Sequence, residues 1–508
     1  MKIQMKSQNL SRRQMLRRLG AFGASAAAAP WLMNLAAMAP ARAAAGGGYK
    51  ALVCVFMYGG NDAYNTVLAT DEPSWVNYLA ARNSGDDPIA LAPVGADPQE
   101  NGTFNAQLGG VLPIWPKTPR PSREFALHPV LAPVRDLFRS GRLGIVANVG
   151  PLVVPTSKTQ YQNNAVALPP KLFSHNDQQS VWQSGRAEGT SIGWGGAMVD
   201  RLMDGNSNAI FTSVTTGSAA VWLVGDRARR YSLGLEGAIH IGGSDNELFT
   251  SPTAQAELVE VMRNTREPQY FEQDHAAIVG RSIDAEAILT PAMPPIDGGP
   301  WGTRGLGEGQ LDPKLSYRAP SSGEILPNPI SQQMQPILRM ISAHAKLGMG
   351  RQIFFVGVNG CDTHAGQNER HADAMAQIAQ AMDYWDASTR TMGVDENVTL
   401  FTASDFGRTF PSNGDGTDHG WGGHHFVLGG GVKGGDIYGP FPQYGASDGH
   451  EGYLSDDQLR DGALLPSQSV DQYAATLGSW MGLSDAELND VLPNLHNFGR
   501  KNLGFMKG

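Results

Sequence analysis

The sequence predicts an α/β fold, a mostly parallel sheet flanked by helices on both faces. Near-continuous apolar runs recur along the chain: "KALVCVFM" at 50–57, "RLGIVANVG" at 142–150, "RQIFFVGVNG" at 351–360 and "NVTLFTA" at 397–403. Strands that are apolar on both faces belong inside a parallel sheet covered on each side. Helix-period segments lie between these runs, which gives the strand–loop–helix rhythm of an open α/β sheet. The composition agrees. With 41% hydrophobic and 17% charged residues in 508, the chain is globular, and its 62 Gly and 32 Pro point to long structured loops.

Residues 1–43 read as a twin-arginine signal peptide. "SRRQML" at 11–16 precedes an alanine-rich apolar stretch, and "ARA" at 41–43 offers small residues for cleavage. An uncleaved N-terminal anchor is the alternative reading. The signal predicts a periplasmic or secreted protein whose partner during export is the twin-arginine translocase. That route carries folded clients, many of them already loaded with metal or cofactor. Residues 44–508 then form a single large α/β domain, with loop-rich insertions near 83–122 and 208–330. The net charge is −9, and the signal holds Lys and Arg but no acid, so its removal leaves a more acidic chain. Such a chain is a poor partner for nucleic acid or anionic membrane. No later apolar run is long enough to span a bilayer.

The elements follow in order. The first strand, 50–57, ends in "YGGND". "HPVLAPVRDLFRSG" at 128–141 has helical spacing, with Val130, Val134, Leu137 and Phe138 on one face and Gly141 as the stop. The strand at 142–150 leads to helices over 176–185 and 193–205. In the second half, "PILRMISAHAKLG" reads as a helix before the strand at 351–360. A long helix over 371–393 carries Met375, Ile378, Ala379, Met382 and Trp385 on one face. The strand at 397–403 follows, then a polar loop, then the glycine-rich apolar run "FVLGGGVKGG". Cys54 and Cys361 lie in or just after strand-like runs. They read either as two buried thiols or as one disulfide in an oxidising compartment.

In parallel sheets the chemistry gathers beyond the carboxyl ends of the strands. Asp62 follows the first strand, and "SHND", with Ser174, His175 and Asp177, follows the loop after the second. Asp362, His364 and His371 follow the strand at 351–360. Ser404, Asp405 and Arg408 follow the strand at 397–403, with Asp418, His419, His424 and His425 beyond them. Acids and imidazoles at one sheet edge suit zinc, manganese or magnesium. Two such ions can hold a phosphate or sulfate ester and activate a nucleophile. Each residue also has a structural reading. Asp62 and Asp405 suit turn caps, Ser174 a helix N-cap, Asp418 and His419 a loop pair, and Arg408 the tether of an acidic loop. "GGG" at 429–431 lacks the G-x-G-x-x-G order, and no flavin fingerprint occurs, so no nucleotide or flavin cofactor is expected.

"VFMYGGNDAYNTV", "LHPVLAPVRDLFRSGRLGIVANVG", "SHNDQQSVWQSG", "TASDFGRT", "DHGWGGHHFVLGGGVKGG" and "SVDQYAATLGSWMGLSDAELNDVLPNL" occur in that order. Together they resemble the bacterial domain-of-unknown-function family 1501 over nearly the whole chain beyond the signal. The family in turn looks like a branch of the alkaline phosphatase and sulfatase superfamily. That resemblance implies an alkaline-phosphatase-like fold and a metal-dependent hydrolase of anionic phosphate or sulfate esters. It implies metal ligands at Asp62, Asp362, His364, Asp405 and His419, with His424 the alternative to His419. It implies catalytic roles for Ser174 as nucleophile, for His175, which takes the nucleophile's register, and for Arg408 as anion holder. Phe406 stands where relatives carry a second histidine, and the Cys-x-Pro-x-Arg sulfatase signature is absent. These departures leave a second reading, a non-catalytic envelope or extracellular binding protein on the same fold.

Overall fold

The computed structural model describes residues 48–240, 251–264, 269–307, 309–450 and 452–507. Residues 1–43, expected as a signal peptide, lie outside the described residues. A nine-stranded sheet organises the chain. Its strands are β1 (Lys50–Met57), β2 (Leu143–Gly150), β3 (Ser213–Thr215), β4 (Arg230–Ser232), β5 (Arg351–Val358), β6 (Val398–Ser404), β7 (Gly423–Leu428), β8 (Ile437–Tyr438) and β9 (Gln468–Ser469). The order is β8-β2-β7-β6-β1-β5-β3-β4, with β9 also paired to β2. Every pairing is parallel except those of β7, which runs antiparallel to both β6 and β2. The fold is therefore α/β with a mostly parallel sheet, as the apolar runs predict.

Alternation along β1 shows why the run is apolar throughout. Ala51, Val53, Val55 and Met57 enter one core, and Leu52, Cys54 and Phe56 enter the other. The helices that cover these faces are α1 (Ala63–Thr66), α2 (Glu72–Arg82), α3 (Ala132–Arg139), α4 (His175–Ser184), α5 (Trp194–Leu202), α6 (Pro329–Ser342), α7 (Gln367–Thr391) and α8 (Val470–Met481). The first face packs on α3, α6 and α7 through residues such as Leu137, Ile337 and Met375. The second packs on α4, α5 and α8 through Trp182, Met198 and Tyr473. Burial on both faces is what selects a run without polar alternation.

Three features differ from the sequence expectation. The segment near 208–330, expected as an insertion, contributes β3 and β4 to the main sheet. Strands of three residues are too short to show a period. Helix α6 starts at Pro329, ahead of the expected run. Asn328 caps it by accepting the N–H groups of Ile330 and Ser331, and proline sits at the first turn. The polar loop after β6 ends sooner than expected, because "GHHFVL" is strand β7. His424 and His425 are therefore buried sheet residues and stand apart from the loop. Both cysteines are buried free thiols. Among the described residues, no helix is long and apolar enough to cross a membrane.

Candidate active site and metal centre

β1, β2, β5 and β6 point their carboxyl ends to one edge of the sheet. Beyond Met57 the chain turns through Gly59 and Gly60, both at positive φ (106° and 85°). Here glycine is required twice over. A Cβ on Gly59 would lie 2.4 Å from the Asp362 backbone nitrogen, and one on Gly60 2.3 Å from the Phe406 ring. The Gly59 N–H donates to Asp405 Oδ2 at 3.0 Å. The double glycine thus lets the loops after β1, β5 and β6 close on one another. Gly60→Ala is expected to destabilise the fold by about 1–3 kcal/mol and to displace Phe406. Chemical denaturation, with Phe406 proximity read from His175 and His419 ring shifts, checks this.

After β5, Asp362 and His364 flank buried Thr363, and the i, i+2 spacing turns both outward together. After β6, residues 407–421 fold back as a tight pairing in which Arg408 bridges antiparallel to His419. The loop after β2 returns to the same edge and starts α4 at His175. These three loops bring together His175, Asp362, His364 and His419.

His175, Asp362 and His419 each offer a ligand atom, all within 4.8 Å of one another. His364 Nε2 lies 2.8 Å from His419 Nε2 and 3.4 Å from Asp362 Oδ1. Each imidazole is held from behind. His175 Nδ1 donates to Asp405 Oδ2 at 2.8 Å, His364 Nδ1 to Asp418 Oδ1 at 2.9 Å, and His419 Nδ1 to the Phe173 carbonyl at 2.7 Å. A carboxylate or carbonyl oxygen can only accept, so each Nδ1 carries a proton, and in its neutral form such a ring presents a lone pair at Nε2. Metal-binding histidines are oriented in this way. Burial lowers the His419 pKa against the hydrogen bond to the Phe173 carbonyl, which raises it, and His175, Arg408 and His364 add to the lowering. Burial raises the pKa of the Asp362 carboxyl, but Arg408 and the two histidines bring it below its usual value.

Phe406 packs against both His175 (ring centroids 4.8 Å apart) and His419 (4.6 Å), so it walls the cluster. A cleft of about 380 Å³ opens beside the cluster, lined by His364, Asp418 and His419 together with Tyr161, Phe173 and Arg460. The cluster is reachable from solvent.

The remaining expected ligands are placed elsewhere. Asp62 is fully buried and receives two bonds from Arg82 (2.5 and 3.0 Å), one from Gln367 (2.6 Å) and one from the Tyr64 N–H (3.1 Å). It is a buried ion-pair partner, which corrects its placement among the metal ligands. Asp405 stands behind His175. Its Oδ2 accepts from His175, Gln179 and Gly59, while the buried Oδ1 has no hydrogen-bond partner. Arg408 is fully buried and donates to the carbonyls of Gly59, Gly60, Cys361 and Thr417 and to Asp362 Oδ1. With its guanidinium so occupied, Arg408 pins the loops and Asp362, which is the tether reading of this residue and leaves little for a substrate anion. The Ser174 hydroxyl donates to Asp177 at 2.8 Å, turned to its own helix. His424, the alternative ligand, accepts the Asn148 N–H in the sheet core and stays apart from the cluster. Sequence reasoning missed Arg82, whose only signal is its place in the last turn of a helix. It also missed the bond between Asp418 and His364, 54 positions apart.

No curated protein matches the chain. One similar solved chain belongs to a structure concerned with metabolism of multiple glycosaminoglycans by Bacteroides thetaiotaomicron and carries a label ending in 4S-sulf. The two are 10% identical over 87% of this chain and 74% of that one, with a TM-score of 0.30, too slight a likeness to assign a fold or reaction. Residues 328–493 match the sequence profile of a family described as "Protein of unknown function (DUF1501)". That span, about a third of the chain, holds Asp362, His364, Asp405, Arg408, Asp418 and His419, and it is the part of the chain that is similar to this family.

Proposed function

We propose that the protein is an exported, metal-dependent hydrolase of phosphate or sulfate esters, working at the cluster of His175, Asp362, His364 and His419. One observation carries the reading. The Nε2 atoms of His364 and His419 meet at 2.8 Å while the hydrogen bonds behind both rings hold a proton on each Nδ1, which leaves Nε2 an acceptor whenever the ring is neutral. Two lone pairs facing at that distance repel unless a cation lies between or beside them. Asp362 and His175 converge on the same place, which favours a metal ion over a shared proton. Three imidazoles and one carboxylate form a donor set suited to zinc. A bound divalent ion polarises an ester oxygen and offsets the negative charge that develops on it.

The chain's own groups do the positioning. Asp405, Asp418 and the Phe173 carbonyl hold the tautomers. Phe406 excludes water from one side. Arg408 fixes Asp362. Ser174, adjacent to His175 at the start of α4, is the hydroxyl available as nucleophile once it leaves Asp177. The cleft beside His364 and His419 admits the ester.

The test is metal content of the native exported protein, paired with thermal unfolding before and after chelation. The expected result is a bound zinc-class ion, a lower midpoint on chelation, and loss of metal in His419→Ala. Asp418→Ala, which frees His364 Nδ1, is expected to weaken metal binding roughly 10- to 100-fold. Metal-free protein with no response to chelator or added zinc refutes the proposal. The engagement of Ser174 with Asp177 favours the second reading, a binding protein on the same fold. Metal binding without turnover on a broad panel of phosphate and sulfate esters selects it.

A further inference from the structure

A second cavity, of about 540 Å³, lies outside the histidine cluster and shares no lining residue with its cleft. Arg304 and Arg339 both line it. Arg339 projects from α6 and ties two loops together, donating from Nε and Nη2 to the Pro294 carbonyl (3.1 and 2.9 Å) and from Nη1 to the Glu236 carbonyl (2.6 Å). Arg304 donates from Nε to the Gln335 side chain and from Nη2 to the Gln332 carbonyl at 2.6 Å. Among the described residues, neither guanidinium has a carboxylate within ion-pair distance.

Counting donors shows what is left over. A guanidinium has five N–H groups. Among the described residues, Arg304 keeps both on Nη1 and one on Nη2 without a protein acceptor. Arg339 keeps one on each of Nη1 and Nη2. Each side chain therefore retains N–H groups on both Nη1 and Nη2 that can meet a carboxylate. Arg339 is buried and Arg304 half-buried; burial lowers the Arg339 pKa, the Arg304 charge lowers it further, and Asp297 opposes both in part. Glu236 and Asp297 oppose these charges only from beyond ion-pair distance, so a bound anion between the two guanidinium groups would stabilise both.

The rest of the lining narrows the chemistry. Glu236 and Asp297 also face the cavity. Asp297 Oδ1 accepts the backbone N–H groups of Arg304 and Gly305, whereas among the described residues Oδ2 has no donor. Acceptors beside an anion site suit a ligand that brings its own donors. Met293 and Ile296 add apolar surface.

We propose that this cavity is a second binding site for a small organic acid, its carboxylate seated between Arg304 and Arg339 and its hydroxyl or ammonium donors directed to Glu236 and Asp297. The site is independent of the metal cluster. Calorimetric titration of the full chain tests it with sodium glucuronate, which supplies hydroxyl donors, and with L-alanine, which supplies an ammonium. Glucose and inorganic phosphate are the controls. Saturable binding of either acid, with no binding of glucose, is expected, and the acid that binds identifies the donor type. Arg304→Gln is expected to weaken binding at least tenfold. Thr290→Glu, on an exposed helix position at the cavity wall, adds a repelling carboxylate without removing a structural bond from the arginines and is expected to do the same. Metal content is expected to stay unchanged in both. Neither acid binding, phosphate binding as tightly as the acids, or undiminished binding in both variants overturns the proposal.

Discussion

Asp62→Ala is expected to lower stability by about 3–5 kcal/mol while leaving metal content at the histidine cluster unchanged in the protein that remains folded. Asp62 and Arg82 are both completely buried. Removing the carboxylate leaves a guanidinium in the interior with only neutral acceptors: Asn65 Oδ1 and the carbonyls of Phe410 and Thr409. It also strands the Gln367 amide. Desolvation raises the Asp62 pKa, but the charge and hydrogen bonds of Arg82 outweigh it and bring it below its usual value. With a depressed folded pKa, the pair's contribution is complete above the unfolded value of about 3.9 and is lost as pH falls through the folded one. Equilibrium denaturation of Asp62→Ala, Arg82→Met and the double variant separates pair from parts. Near-recovery is expected in the double variant, because no unpaired charge is left behind. A metal-free but stable Asp62→Ala would instead return Asp62 to the ligand set.

The core strands were legible because each is buried on two faces and leaves an apolar run that nothing else explains. β1, β5 and β6 are of this kind. β3 and β4 were not legible, since three residues carry no period and their place depends on β5 beside them. β7 was hidden by its composition. Two histidines and a run of glycines resemble a loop, and only the sheet context neutralises and buries those imidazoles.

The site was legible to the level of the strand-end loops. Asp362, His364 and His419 follow from spacing, since each lies just beyond a buried strand or in the loop leading back from one. What spacing could not supply was direction. Asp62 and Asp405 occupy equivalent places at the ends of adjacent parallel strands, yet one turns to Arg82 and the other supports His175. The difference arises from partners remote in sequence, such as Gln367 for Asp62 (305 positions away) and Gln179 for Asp405 (226 positions away). The Phe406 question also resolves through packing. In place of a second histidine, the Phe406 ring packs beside His175 and His419, whose own rings meet edge-on at 4.4 Å.

Acid is expected to unfold this protein steeply, with uptake of about three protons between roughly pH 6 and 4.5. His424 and His425 are fully enclosed, and burial lowers both to about 3. Burial lowers His371 to about 4, against partial compensation by Asp62, and carries His128 well below its ordinary value. Unfolded, each titrates near 6.5. Between the two values the unfolded chain binds protons that the native chain refuses, so stability falls as pH falls through this window. Asp471 acts in the opposite sense. Burial raises it to about 6, so the native state there binds the extra proton and cancels part of the slope. Three net protons correspond to about 4 kcal/mol per pH unit. Urea midpoints followed across this range measure the slope directly. His425→Phe keeps an aromatic ring against Trp182 and Tyr473 and removes one titrating group, so it is expected to reduce the uptake by about one proton. A slope below one proton for the unmodified chain would mean that these imidazoles reach water in the native state, contrary to the sheet packing that buries them.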